Sequence, residues 1–312
     1  MNFIESVLAN EPLSIDSGIF RFVPADNYSY DFGEEWKRFG RIQYDAFTGR
    51  NLSKDRFCKT TLFSSAKNFQ GLNVLDAGCG AGRHSDIALQ LEPRNLVCVD
   101  LSHAIDLCRT NLLDAGRSIE SVHFVQADIS KLPFSSNSFD IVYCMGVIQH
   151  TPNPLSTLLE LVRVLKPSGK IVVDTYKKSF KSYTHLQGLW RAFFRIIGRD
   201  NSKQLISNVF PRIYPIHRRL MNYPFVNSLT WKLLPFDSYF PNLDLSPEEE
   251  LQWFLMSIED GYLSKYIFPQ TEISFFDMAI ASGLSEIEVV DQSFGDAAPL
   301  VLRGIKPLTS AS

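Results

Sequence analysis

Residues 74–83 read Val-Leu-Asp-Ala-Gly-Cys-Gly-Ala-Gly-Arg. Residues of these types at this spacing can hold a nucleotide-like ligand. Glycines at 78, 80 and 82 let the backbone approach a ligand where a side chain would block it. A helix starting at Arg83 would add unpaired N–H groups and a positive dipole end. Asp76, just ahead of the turn, repels a pyrophosphate and suits a cationic or amino-bearing ligand.

The dinucleotide fingerprint G-x-G-x-x-G/A needs a small last residue so that the helix packs on the sheet. Gly78 and Gly80 serve as its first two glycines, but Arg83 occupies the last place and crowds that contact. This disfavours an NAD-dependent oxidoreductase. The ligand that fits the acid and the turn is S-adenosylmethionine (SAM), which carries a sulfonium and an α-amino group.

Further polar residues recur at intervals that suit the same ligand. Asp100 stands 24 residues after Asp76 and can take both ribose hydroxyls, with Leu101 beside it. Asp128 can accept from an adenine amino group, and Ile129 supplies an apolar face for the ring. Met145 and Gly146 follow where the sulfonium side would lie. Cys79 sits inside the turn itself. Arg56 can pair with the methionyl carboxylate of SAM. His150, just before Pro152 and Pro154, is the candidate general base. No His, Cys or carboxylate spacing marks a metal set.

These residues need elements that bring them to one edge. Strand patterns fall at Asn73–Asp76, Leu96–Asp100, Val122–Gln126, Phe139–Cys144 and Lys170–Thr175. Helical patterns fall between them, at about 83–91, 104–116 and 154–165. Asn153 is the predicted N-cap of the third helix, with Pro154 at its first position and Pro167 as its stop. The alternation predicts a Rossmann-like, doubly wound α/β fold. Glu286–Val290 and Pro299–Gly304 read as two more strands that close a seven-stranded, mostly parallel sheet, with the last strand antiparallel. In such a sheet a ligand lies at the carboxyl ends of the strands, where the acids above fall.

The predicted organisation is an aromatic-rich N-terminal extension or lid (1–70), a ligand-binding core (71–177), a basic helical cap insert on the substrate side (178–269) and a C-terminal completion of the sheet (270–312). Tyr30, Phe32 and Trp36 are candidate lid aromatics. The 312 residues are 45% hydrophobic and 21% charged, an ordinary globular composition. The five cysteines form no C-x-x-C pair, so a zinc ribbon or disulfide framework is not indicated, and a cytoplasmic setting is expected. No secretory signal or 18-residue apolar run is visible.

The net charge of −3 hides an asymmetry. Lys177 to Lys232 holds eleven Lys/Arg against Asp200 alone, about +10, which leaves about −13 elsewhere. Within it, Leu186, Leu189, Trp190, Phe193, Phe194 and Ile197 share one helical face, and Arg191, Arg195 and Arg199 share another. Two readings stay open: a cap packed on the core, or contact with an anionic membrane surface or a lipid-linked or phosphorylated acceptor.

VLDAGCGAG, the acid in CVDLS, QADI followed by LPF, FDIVYCMGVIQHTPNP and LKPSGKIVV together resemble the class I SAM-dependent methyltransferases over about residues 72–175. Phe32-Gly33-x-x-Trp36-x-x-Phe39, Leu52-Ser53-x-Asp55-Arg56-Phe57 and Tyr262-x-Ser264-Lys265-Tyr266 resemble a subgroup associated with glycan and natural-product biosynthesis. The resemblance implies methyl transfer from SAM to a small-molecule or lipid- or glycan-linked acceptor, with oxygen as the expected nucleophile. Cys144-Met145-Gly146-Val147 departs from the Asn/Asp-Pro-Pro-aromatic run of base-directed methyltransferases, so no nucleic-acid substrate is expected. A non-catalytic SAM-binding or membrane-recruiting module is the alternative.

Overall fold

A computed structural model describes residues 3–24, 30–178, 186–235, 245–292 and 299–308. The chain divides into two compact units. The first comprises Met1–Lys177, Phe268–Gln292 and Pro299–Ser312, and the second Lys178–Ile267 with Ser293–Ala298.

In chain order the first unit opens with α1 (Phe3–Val7), β1 (Ser14–Asp16), β2 (Ile19–Arg21), α2 (Tyr30–Phe39), α3 (Asp45–Thr48) and α4 (Leu52–Thr61). There follow β3 (Asn73–Ala77), α5 (Arg83–Leu89), β4 (Asn95–Asp100), α6 (Ala104–Asp114), β5 (Val122–Gln126), β6 (Phe139–Cys144), α7 (Pro154–Val164) and β7 (Leu165–Tyr176). The second unit contributes α8 (Gln187–Ile197), α9 (Arg199–Asn208), α10 (Phe210–Leu220), α11 (Pro224–Leu233) and α12 (Pro247–Ile258). The chain then returns to the first unit with α13 (Glu272–Ala281), β8 (Ser285–Asp291) and β9 (Pro299–Ile305).

The strands form one sheet in the order β1-β2-β5-β4-β3-β6-β7-β9-β8. Strands β2 and β5 to β7 pair in parallel through β4 and β3, while β9 runs antiparallel between β7 and β8. The seven predicted strands are present and the fold is the Rossmann-like α/β class. Winding reverses between β3 and β6, which creates a crevice at the carboxyl ends of those two strands.

Two further strands extend the sheet. Asp16-Ser17-Gly18-Ile19 makes a tight hairpin with positive φ at Ser17 (52°) and Gly18 (79°), and β2 then pairs with β5. The Ser-Gly turn signal was available in the sequence, but three-residue strands carry too little periodicity to be read. Arg21 fastens the hairpin by donating to Gln126 at 2.8 Å and Asp106 at 2.6 Å.

Neighbouring strand residues point to opposite faces, and each face has its own core. Leu75, Val97, Val142 and Val173 pack with Leu161 of α7 and Phe275 of α13. Val74, Leu96, Ile141 and Val172 pack with Phe57 of α4, Ile87 of α5 and Cys108 of α6. Because both faces are covered, the strands read as continuous apolar runs. The predicted start of α7 is observed: Asn153 accepts from Ser156 N at 3.1 Å, with Pro154 in the first turn. Its end comes earlier than Pro167, since β7 already begins at Leu165 and carries Pro167 past a register shift against β6.

In the second unit, Phe194 of α8 is buried against Tyr262, their ring centroids 5.9 Å apart. Arg191 donates to Gly261 O at 2.6 Å and Ser264 O at 2.8 Å. Arg191 is thus an inward anchor, which divides the cationic face expected for Arg191, Arg195 and Arg199. Tyr214 and Arg218 of α10 both donate to Glu250 of α12, and the Tyr214 and Phe254 rings lie 4.7 Å apart.

Candidate functional site

The glycine-rich turn connects β3 to α5. Its three glycines adopt φ of 85°, 54° and 91° at positions 78, 80 and 82, a region that side chains rarely occupy. Space is limiting as well: a Cβ on Gly82 would come within 2.7 Å of Cys108 Sγ. Gly78 N and Cys79 N donate to Val99 O at 2.8 and 2.9 Å, so β4 holds the start of the turn. Asn111 of α6 holds its far end by donating to Ala81 O at 3.0 Å. The turn is preorganised by its neighbours without any ligand.

Asp100, at the end of β4, is joined to this turn. Its Oδ2 accepts from Gly80 N at 2.9 Å, and its Oδ1 accepts from Ser102 N at 2.8 Å and Ser102 Oγ at 2.6 Å. Burial pushes its carboxyl upward, and the three donors oppose that shift. A carboxylate offers about four lone-pair directions, so this half-buried group retains capacity for a ligand hydroxyl. Leu101 next to it is half-buried and accepts from Gln126 at 3.2 Å.

Asp76 has a different neighbourhood from the one expected. It is 2% exposed, and its Oδ2 accepts from Ser85 Oγ at 2.6 Å. Burial raises its carboxyl well above the usual range. These contacts tie α5 to β3. Cys79 is buried too.

Asp128 and Ile129 follow β5. Asp128 Oδ1 accepts from Ser130 N at 2.8 Å and Ser130 Oγ at 2.6 Å, and Ile129 is buried. After β6, Met145 is buried, and Gly146 N donates to Asp174 Oδ1. His150 lies in a short 3-10 turn, buried, with its ring edge-on to Tyr176 at 5.5 Å. The carboxyl edge of the sheet therefore collects Gly78–Gly82, Asp100, Asp128, Gly146, His150 and Tyr176.

Arg56 pairs with Asp174 of β7, Nη2 to Oδ2 at 2.9 Å. Its partner in the structure is a protein carboxylate that the sequence reading did not name. Sequence reasoning missed Asp174, although an acid closing the apolar run IVVD was the available signal. Arg83 opens α5, where a cation opposes the helix dipole. Burial and the like charge of Arg56 push its guanidinium down to about 9, with Asp174 and Asp45 partly offsetting them. Two arginines and two acids, Asp174 and Asp45, thus act on one another here, and Asp174 is the buried acid that Arg56 contacts.

Of the candidate lid aromatics, Trp36 packs its indole against Gly80, with Nε1 3.3 Å from where a Cβ would sit. Helix α2 therefore covers the turn. The side chains of Tyr30 and Phe32 lie outside the described ones.

The donor set fits SAM on two structural grounds: a turn with no room for side chains and a strand-end carboxylate joined to it.

Comparison with known proteins agrees with this geometry. Residues 75–173 match the methyltransferase domain family. A ubiquinone biosynthesis O-methyltransferase of Aromatoleum aromaticum is 30% identical over 114 residues, covering 36% of this chain and 47% of the relative. A tRNA U34 carboxymethyltransferase of Nautilia profundicola is 28% identical over 119 residues, 38% of this chain and 39% of the relative. The chain thus spans about half, or less, of the length of these curated relatives. Magnesium protoporphyrin IX methyltransferase from Synechocystis PCC 6803, solved with bound SAH, has a similar fold: TM-score 0.50 at 13% identity, over 89% of this chain and 97% of that one.

Proposed function

We propose that this chain, with its methyltransferase domain at residues 75–173, is a SAM-dependent methyltransferase acting at oxygen on a small-molecule or lipid- or glycan-linked acceptor. The observation that carries the reading is the bond from Gly80 N to Asp100, which locks the glycine-rich turn to the acid that would hold the ribose.

When bound, SAM supplies a methyl group that is already electrophilic, so the chain's task is to position, cover and deprotonate. Asp100 takes the ribose hydroxyls, with Leu101 beside them. Asp128 accepts from the adenine amino group, and Ile129 lies against the ring. Arg56, with Arg83 near it, would face the methionyl carboxylate. Met145 and Gly146 line the sulfonium side, and Asp174 fixes Gly146. Trp36 and α2 exclude water above the turn. His150 would accept the proton of the acceptor hydroxyl while that oxygen takes the methyl and S-adenosylhomocysteine leaves.

The oxygen acceptor is favoured by the position of His150, since a hydroxyl needs a base and an amine or carboxylate needs little. The likeness to glycan and natural-product methyltransferases supports a small or carrier-linked acceptor over a nucleic acid. Five free thiols support a cytoplasmic setting, and among the described residues no helix is long and apolar enough to cross a membrane.

Titration calorimetry with SAM and S-adenosylhomocysteine (SAH), together with mass spectrometry of small molecules extracted from the purified protein, tests the cofactor. Binding of both is expected. No binding, or NAD in the extract, overturns the reading. SAM binding without transfer to any hydroxylated acceptor would favour the recruiting module.

A further inference from the structure

Helices of the second unit leave apolar stripes in solvent. On α8, Leu189, Phe193 and Ile196 are exposed at helical spacing, Ile196 by 83%. On α11, Phe225, Leu229 and Leu233 recur every four residues, with Phe225 82% exposed. On α10, Ile213 and Ile216 are exposed. Helices α8 and α11 touch where Trp190 Nε1 donates to Leu233 O at 2.8 Å. The opposite side of α8 is already occupied by Phe194 and Arg191, which contact Tyr262, Gly261 and Ser264 within the same unit. Scattered exposed apolar residues need no explanation, but aligned stripes on adjoining helices do.

Charge selects the occupant. From residue 187 to residue 233 the chain has eight Lys/Arg and one acid, Asp200. Arg195, Arg212 and Arg219 are exposed beside or between the apolar positions. Among the described residues, Glu248, Glu249 and Glu250 lie in the first turn of α12, where Glu250 accepts from Arg218 of α10. A second copy docking through this face would oppose cation to cation. An anionic lipid surface offers both a hydrocarbon boundary for the stripes and phosphates for the arginines. The helices are 10 or 11 residues long, which suits lying in the interface plane.

We propose that α8, α10 and α11 form a peripheral docking surface for anionic bilayers. The surface stands on observations separate from the cofactor site, so either can fail without the other.

The test is flotation of the full chain with vesicles of phosphatidylcholine alone and of phosphatidylcholine mixed with phosphatidylglycerol. Binding to the mixed vesicles, weakened by added salt, is expected. Ile196→Glu with Phe225→Glu should weaken it by at least about 10-fold, and Arg195→Glu with Arg219→Glu should remove its salt dependence. All four positions are exposed, and an unchanged melting temperature confirms that the variants fold. No binding to mixed vesicles, or equal binding to both kinds, overturns the proposal. So does a soluble dimer that the Ile196→Glu and Phe225→Glu substitutions dissociate, which would assign the face to a second copy.

Discussion

Arg56 Nη2 lies 2.9 Å from Asp174 Oδ2, and the Asp174 side chain is 1% exposed against 21% for Arg56. Gly146 N donates to the other carboxylate oxygen. One buried acid thereby links α4, the end of β7 and the loop after β6, and it positions the backbone that would lie below the methyl group.

Removing that acid leaves a mostly buried guanidinium and a backbone N–H without their acceptor. Asp174→Ala should lower the unfolding free energy by about 2–4 kcal/mol, read by urea denaturation. A loss below about 0.5 kcal/mol would mean that the pair contributes nothing to the fold. Asp174→Asn, which keeps an acceptor oxygen, should lose less.

Asp100→Ala removes the ribose acceptor and also the anchor of Gly80. SAH affinity should fall at least about 10-fold, since hydrogen bonds to a charged group contribute about 1.5–3 kcal/mol each. Calorimetry alongside a melting curve separates the two effects. Unchanged affinity would remove Asp100 from the cofactor site.

Arg83 is held down to about 9 by burial and by Arg56. Its charged form is the one that attracts an anion, so cofactor affinity should decline as pH rises through about 9 and be retained below it. The α-amino group of SAH titrates in a similar range, so the decisive comparison is with Arg83→Gln. That variant should bind more weakly at pH 7.5 and lose the part of the alkaline decline that belongs to the guanidinium. Identical pH profiles for the two proteins would clear Arg83 of the role. For stability the sign is opposite: a cation with a depressed folded value destabilises the fold while charged, and that cost diminishes above about 9.

His150→Ala should reduce methyl transfer to a hydroxylated acceptor by about 10²–10⁴-fold while changing SAH affinity little. Single-turnover kinetics read the first, and calorimetry the second. Undiminished transfer would make His150 a loop residue packed on Tyr176.

The extent to which the site was legible follows from how local each signal is. Gly78, Gly80, Gly82 and Asp100 could be placed because strand ends in a parallel sheet must fall on one edge, and the apolar runs mark where strands end. For Asp76, sequence position says which residue ends a strand but not which way its side chain turns; in the fold it meets Ser85. Helical spacing groups Arg191 with Arg195 and Arg199 on one face, yet the backbone oxygens of Gly261 and Ser264, 70 and 73 residues away, hold it inward.

By itself the sequence determined the strand–helix alternation, the glycine-rich turn and the edge where its acids gather, because burial period and backbone freedom act over a few neighbouring residues. Only the tertiary structure decided that Arg56 is held by an acid 118 positions distant, that Arg83 competes with it for the same charge, and that a short hairpin lengthens the sheet. Those outcomes depend on desolvation and through-space Coulomb energy, and neither exists until remote segments are packed together.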